Sequence, residues 1–317
     1  MEAAGTHRPC AFDTLFSKNV PHILEKIFFS LDYKSFKNCM DVNETWRELL
    51  STPSYQKELR KMKKIMLIER NYNGKKLFTA VEYGDAEEVR AVLSGLNVDV
   101  NFVAKGPELK STFLEERSTP LIVAARNGHN EIVQILLDSG AEIDKGDSCA
   151  RTPLWYTANI GHNKVVKTLL DAGADPNKTD HLKRTPLWWT TTRDNENVAE
   201  TVEILINGGT NLNKADINGE TPLHSAICSK RSTNEVIELL IRGGTDPNTT
   251  AKNGGTPLHC AIINGRHEAV KILLQGRADP GREDGKGNTP LQLAKKYNKN
   301  TDIIHELLGA RDKKYLI

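Results

Sequence analysis

The stretch Thr256-Pro257-Leu258-His259-Cys260-Ala261-Ile262-Ile263-Asn264-Gly265-Arg266-His267 decides the reading of this chain. Its opening Thr-Pro-Leu also begins at Thr119, Thr152, Thr185, Thr221 and Thr289, so that successive copies lie 33, 33, 36, 35 and 33 residues apart. Self-similarity at such a period marks a repeat architecture. A second apolar cluster follows each copy: Ile132, Val133, Ile135, Leu136 and Leu137 in one, Val165, Val166, Leu169 and Leu170 in the next. Units then close with text such as Gly140-Ala141-Glu142 or Gly173-Ala174-Asp175. An earlier unit lacks the tripeptide but keeps the pattern through Leu77, Ala80, Gly84-Asp85, Val89, Val92-Leu93 and Val98-Asp99-Val100-Asn101, which makes seven units.

Each unit reads as two short antiparallel helices and a turn. Thr caps the first helix with its hydroxyl, and Pro suits the first helical position, where no backbone N–H is needed. Leu and the following Ala face the neighbouring helix pair. Gly128-His129 and Gly161-His162 let the chain turn, because Gly tolerates positive φ. The second helix buries its Val/Ile and Leu-Leu face, and Gly140, Gly173, Gly243 and Gly276 fit C-caps. One helix pair cannot hide its apolar face alone, so stacking supplies the core.

Composition agrees. The chain has 317 residues and a net charge of +2, too balanced for a general polyanion binder. Hydrophobic residues make up 38% and charged residues 26%, against wholesale disorder. No apolar run approaches the ~18 residues of a membrane span, and the first twenty residues hold no apolar signal core. The five cysteines are odd in number and scattered, which points to neither a disulfide scaffold nor a Cys-rich zinc site. A soluble protein of a reducing compartment follows, with cytoplasm and nucleus both open.

These units resemble ankyrin repeats: Thr256-Pro257-Leu258-His259 with Ala261 follows that family's pattern, and the resemblance covers residues 74–311. It implies an all-α solenoid of about seven helix-pair repeats that binds other proteins. The departures carry information. The long intervals place extra residues between the paired helices of two units, and an insertion around Phe102–Arg117 should form a long loop. Gly219, Gly254 and Gly287 stand two residues before Thr in the last three copies, whereas Arg117, Ala150 and Lys183 replace them earlier. Irregular hairpin tips are expected there.

The N-terminal seventy residues differ. Val20-Pro21-His22-Ile23-Leu24-Glu25-Lys26-Ile27-Phe28-Phe29-Ser30-Leu31 starts with Pro and repeats apolar residues at helical spacing. Phe36, Val42 and Trp46 continue the series, suggesting three short helices with too little core of their own. The spacing resembles an F-box over residues 14–58, although Val20 replaces the family's usual Leu and an acidic residue is missing after Pro21. That resemblance implies an F-box-like domain that docks the Skp adaptor of a cullin–RING ubiquitin ligase through Val20, Pro21, Leu24, Ile27, Phe28, Leu31, Phe36, Val42 and Trp46. The expected organisation is a flexible start at 1–13, the F-box-like unit at 14–58, a helical connector at 59–73, the repeats at 74–311 and a tail at 312–317. The alternative is an ankyrin scaffold or inhibitor whose N-terminal helices only cap the array.

No catalytic or metal-binding motif stands out. His224 and His259 follow Thr-Pro-Leu, where ankyrin repeats use His to bond between neighbours, and His129, His162 and His267 fall in interhelix turns. No phosphate loop, His-Glu-x-x-His stretch or nucleophile elbow occurs. The expectation is a non-enzyme without cofactor or metal, monomeric outside the ligase complex, and binding neither nucleic acid nor membrane. The aromatic residues are the stronger lead. They make up only 6% of the chain, yet Trp155-Tyr156 and Trp188-Trp189 occupy equivalent places in successive repeats. Adjacent helical residues point about 100° apart, so both members cannot share one buried seam. The second member, or both, is expected to reach the concave groove and bind the target protein.

Overall fold

The structure is a computed structural model that describes residues 53–103, 117–193, 197–298 and 301–314. The adaptor-docking residues Val20 to Trp46 lie outside the described residues, as does most of the Phe102–Arg117 insertion.

The described residues are helical, with no strand among them. Helix α1 spans Pro53–Tyr83 and α2 spans Ala86–Leu93. Five helix pairs follow: α3 (Pro120–Asn127) with α4 (Asn130–Asp138), α5 (Pro153–Ile160) with α6 (Asn163–Asp171), α7 (Pro186–Thr190) with α8 (Val198–Asn207), α9 (Pro222–Cys228) with α10 (Asn234–Arg242), and α11 (Pro257–Ile263) with α12 (His267–Gln275). The last repeat has α13 (Pro290–Leu293), a π-helical turn over Ala294–Asn298 and α14 (Thr301–Lys314). The helical connector expected at 59–73 lies within α1.

Two compact units divide the described residues, one of 53–73 with 91–99 and one of 74–90 with 100–314. In the first, Arg70 pairs with Asp99 at 2.6 Å and the Asn73 amide donates to the Leu96 carbonyl at 3.2 Å. The second holds the six Thr-Pro-Leu repeats. There Thr119, Thr152, Thr185 and Thr289 each accept the backbone N–H three residues on, at 3.2–3.4 Å. Leu121, Leu154, Leu187, Leu223 and Leu258 are fully buried. Burial of each such side chain contributes about 1.5–3 kcal/mol to the cohesion of the array. The second helices add Val133, Val166, Val202, Ile237 and Val270, also buried.

Backbone and amide bonds join successive repeats at their tips. His181 N–H donates to the Cys149 carbonyl, Ile217 to Leu182, Lys252 to Asn218 and Gly285 to Asn253, at 2.9–3.1 Å. Side chains add a second ladder: Asn177, Asn213 and Asn248 accept the backbone N–H of Asn211, Asp246 and Asp279 at 2.7–2.9 Å.

Three sequence expectations need correction. The tips at Ala150 and Lys183 are regular. Both residues adopt φ near +60°, alongside +76° to +78° at Gly219, Gly254 and Gly287, and each makes the same tip hydrogen bond. Tertiary bonding across the tip holds a side-chain-bearing residue in the left-handed region, at a local cost of about 1–2 kcal/mol. Ala150→Gly and Lys183→Gly are therefore expected to stabilise the protein by about 0.5–1 kcal/mol each, after glycine's extra unfolded-state entropy; the urea midpoint at unchanged slope is the measurement.

The second correction concerns the helix ends: Gly243 and Gly276 are C-caps as expected, whereas Ser139 and Ala172 cap their helices and Gly140 and Gly173 follow them in the left-handed region. After Gly243 and Gly276 the left-handed residues are Gly244 and Arg277, one position on. Gly243 and Gly276 have negative φ, and they are small because the preceding repeat lies close: a Cβ on Gly276 would sit 2.8 Å from the Ile241 side chain. The third is that His267 begins α12, and Arg266 takes the turn position that His129 and His162 hold elsewhere.

His224 and His259 do bridge repeats. In each, Nδ1 accepts the backbone N–H of its own Thr at 3.2–3.3 Å, so Nε2 carries the proton and donates to the carbonyl of Gly255 or Asn288 at 3.3 or 3.1 Å. Burial lowers both pKa values. The unfolded chain therefore takes up protons that the folded one refuses once pH falls below ~6.5. Stability is full above that value and declines below it, by up to about 1.4 kcal/mol per pH unit for each histidine. Urea titrations at pH 7.5 and 5.5 should show this decline, and the double variant His224→Gln/His259→Gln should flatten it.

Candidate functional site

The site lies on the first helices and hairpin tips of the second, third and fourth repeats. Its frame is a motif that occurs twice, 33 residues apart: an aspartate, an arginine four residues on and an aromatic residue nine residues on. In the first copy Asp147 Oδ1 accepts the backbone N–H of Cys149 and Arg151, while Oδ2 accepts Arg151 Nε at 2.8 Å and the Tyr156 hydroxyl at 2.7 Å. In the second, Asp180 Oδ1 accepts the N–H of Leu182 and Arg184, while Oδ2 accepts Arg184 Nε and the Trp189 indole N–H, both at 3.0 Å. Each carboxylate thus folds its tip and orients one arginine and one aromatic ring.

Electrostatics follow from that geometry. Burial pushes the Asp180 carboxyl up, but the Trp189 and Arg184 donors outweigh it and hold the pKa below its usual value. The Tyr156 phenol is raised, first by burial and then by its bond to Asp147, and it stays a donor.

The four aromatic rings form one edge-to-face chain. Trp155 lies 5.0 Å from Tyr156 and 5.3 Å from Trp189, and Trp188 lies 5.6 Å from Trp189, with interplanar angles of 72–74°. Guanidiniums cover much of it: Arg151 is 5.3 Å from the Trp155 ring and 5.1 Å from Tyr156, Arg184 is 4.1 Å from Trp189, and Arg193 is 5.8 Å from Trp189. Such cation–π pairs contribute about 0.5–2 kcal/mol each, more as water is excluded.

A groove of about 840 Å³ opens beside this chain, walled by Trp155, Tyr156, Trp189, Ile160 and Leu182 among others. Against the expectation that adjacent helical residues cannot both be buried, Trp155 and Tyr156 are 5% and 8% exposed and share one core cluster with Ile122. Trp189 is half-buried and presents ring surface to the groove. Trp188 is also half-buried but does not line the groove. The indole N–H groups of Trp155 and Trp188 are buried without a hydrogen-bond partner. They occupy the position where His224 and His259 bond the next repeat, so these two repeats exchange that bond for aromatic packing.

The polar frame escapes a search for catalytic or metal motifs. The sequence did hold a signal: Asp147, Arg151 and Tyr156 recur as Asp180, Arg184 and Trp189 at one repeat length. Arg193 carried no such signal. It reaches the groove because α7 stops early. The Thr190, Thr191 and Thr192 hydroxyls each donate to a carbonyl three or four residues back, in competition with helical bonding. Arg193 Nε then donates to the Asn159 amide oxygen at 2.7 Å.

Among the described residues, no group of three His, Cys, Asp or Glu side chains is placed to hold a metal ion, and no helix is long and apolar enough to cross a membrane. Cys149, Cys228 and Cys260 are free thiols.

A family model described as ankyrin repeats matches the chain in three copies, at residues 77–180, 154–251 and 227–315. The chain belongs to the ankyrin-repeat family, a fold typical of non-catalytic interaction modules. Among solved structures it is similar to the ankyrin repeat domain of Bcl-3, described as a unique member of the IkappaB protein family. The identity is 22% and the TM-score 0.63, covering 74% of this chain and 97% of that one. The human ASB11 ankyrin repeat domain is similar at 23% identity and a TM-score of 0.58, covering 74% and 96%. These likenesses concern the fold alone. No curated protein matches significantly.

Proposed function

We propose that this protein is a recognition subunit whose aromatic groove over the second to fourth repeats binds a target protein, with no catalysis of its own. The half-buried Trp189 carries this reading. Its N–H is satisfied by Asp180, its ring is braced by Trp155 and Trp188, and the remaining ring surface faces a groove large enough for side chains of a partner. A braced aromatic ring with surface open to a groove has the character of an interface hot spot. Trp155, Tyr156 and Trp188 support it from within the same ring chain.

The finer reading is a substrate receptor of a cullin–RING ubiquitin ligase. It rests on the F-box resemblance of residues 14–58, with Pro21, Leu24, Ile27 and Leu31 docking the Skp adaptor and the groove holding the target. Such a protein acts by tethering, which raises the effective concentration of target lysines at the ligase. Co-purification with the Skp adaptor tests it. Wild-type protein and Trp189→Ala should both retain the adaptor, and Pro21→Ala/Leu31→Ala should lose it while circular dichroism shows the array still folded. Absence of adaptor binding by the wild type would leave a repeat protein that recognises its target without a ligase link.

A further inference from the structure

We infer that the groove takes an acidic segment of a partner protein, with a carboxylate seated on the Arg193 guanidinium and an apolar side chain on the Trp189 face. The inference rests on the proposed target-binding role and specifies its chemistry.

Charge complementarity carries it. Among the described residues, the charged groups lining the groove are Arg126, Arg151, Arg184 and Arg193 against the one carboxylate of Asp180. That carboxylate already accepts the N–H groups of Leu182, Arg184 and Trp189 and the Arg184 side chain. Four bonds are about all that a carboxylate accepts. The carboxylate in the described lining therefore has no lone pair left to offer a cationic ligand as counter-charge. Its aromatic faces offer no cage for an ammonium group either, because the protein's own guanidiniums already lie over Trp155, Tyr156 and Trp189. A lysine or arginine of a partner would meet like charge at each of these rings.

An anion meets the opposite situation. Arg151 and Arg184 are paired with Asp147 and Asp180. Among the described residues, Arg193 makes one hydrogen bond, from Nε to the neutral Asn159 amide, lies over the Trp189 ring and forms no ion pair. Its two Nη groups form one edge of a planar fork that suits a carboxylate bidentately. Asn159 and the Trp189 ring hold that fork in place, which lowers the entropy lost on binding. A protein segment fits this site better than a nucleic acid. The chain as a whole carries only +2, and a nucleic acid would need a run of cationic contacts along its phosphates.

The test is selection from a phage-displayed library of random dodecapeptides on the immobilised full chain, followed by titration of the best synthetic peptide by fluorescence anisotropy. Enriched sequences should be acidic and carry an apolar residue beside the acid. Arg193→Ala, or Glu→Gln in the peptide, should weaken binding by about tenfold or more, and the two changes together should be much less than additive. Arg193→Lys should recover part of the affinity. Enrichment of basic or uncharged peptides, recovery of none, or an Arg193→Ala affinity within about twofold of wild type would overturn the inference. So would tighter binding of fluorescein-labelled oligo-dT than of any peptide. Uncharged peptides lost on Trp189→Ala would overturn the charge assignment alone, whereas peptides indifferent to both Trp189→Ala and Arg193→Ala would overturn the groove itself.

Discussion

Arg266→Ala is expected to cost about 3 kcal/mol of stability and to free the fifth repeat's turn before the rest of the array. The guanidinium is half-buried and spans two repeats. Nη1 donates to the carbonyls of Ala226, Ile227 and Ser229 at 2.8, 3.4 and 3.2 Å. Nη2 donates to the Ser232 carbonyl at 2.8 Å and the Asn234 amide oxygen at 3.1 Å. These acceptors lie at the end of α9 and around the turn that carries the two extra residues. Hydrogen bonds from a charged donor contribute about 1.5–3 kcal/mol each when well formed. Three of the five are 3.1 Å or longer and share donors, so the total stays near the upper value for one or two good bonds. Alanine would leave the carbonyls to water or to nothing. Arg266→Lys should recover only a minor part, because one ammonium cannot reach both sides of the turn. Urea unfolding gives the total, and amide exchange over 229–234 locates it. A loss below about 1 kcal/mol would mean that the turn holds itself.

The second large effect separates two tryptophans that look equivalent in the sequence. Trp155→Ala should cost about 3–5 kcal/mol of stability, as large core truncations do, because the ring is 5% exposed and wedged between Ile122, Tyr156 and Trp189. Trp155→Phe should recover most of this, because it also removes a buried N–H that has no partner. Trp189→Ala should cost the fold only about 1–2 kcal/mol. Its target affinity should fall by a factor of about 30 or more, the penalty for removing an aromatic hot spot of 2 kcal/mol. Thermal unfolding of each variant, set beside its affinity for a peptide selected on the wild type, distinguishes the two roles. Equal losses of stability with unchanged affinity would make Trp189 a core residue.

Much of the fold was legible because its determinants are local. Thr-Pro-Leu sets a cap, a first helical residue and a buried leucine within three positions, and no distant contact is needed to read them. The insertions in the fourth and fifth repeats were legible as spacing. The site was half legible: paired aromatics 33 residues apart stood out, but their exposure did not. The polar frame was visible only as an aspartate and an arginine at fixed distances from those aromatics, residue types that ordinarily mark solvated surface.

The number of repeats, the helix starts and the leucine seam follow from local signals, since hydrogen bonds and apolar periodicity within one repeat specify them. The remaining features arise from contacts between repeats. Such contacts place Gly276 against Ile241, hold Ala150 and Lys183 in the left-handed region, send Arg266 across to the preceding repeat, and leave Trp189 open while Trp155 is covered. Each of these depends on what the neighbouring repeat presents at that height. Two residues with the same local pattern therefore meet different surroundings, and the free energy of a side chain is set by those surroundings.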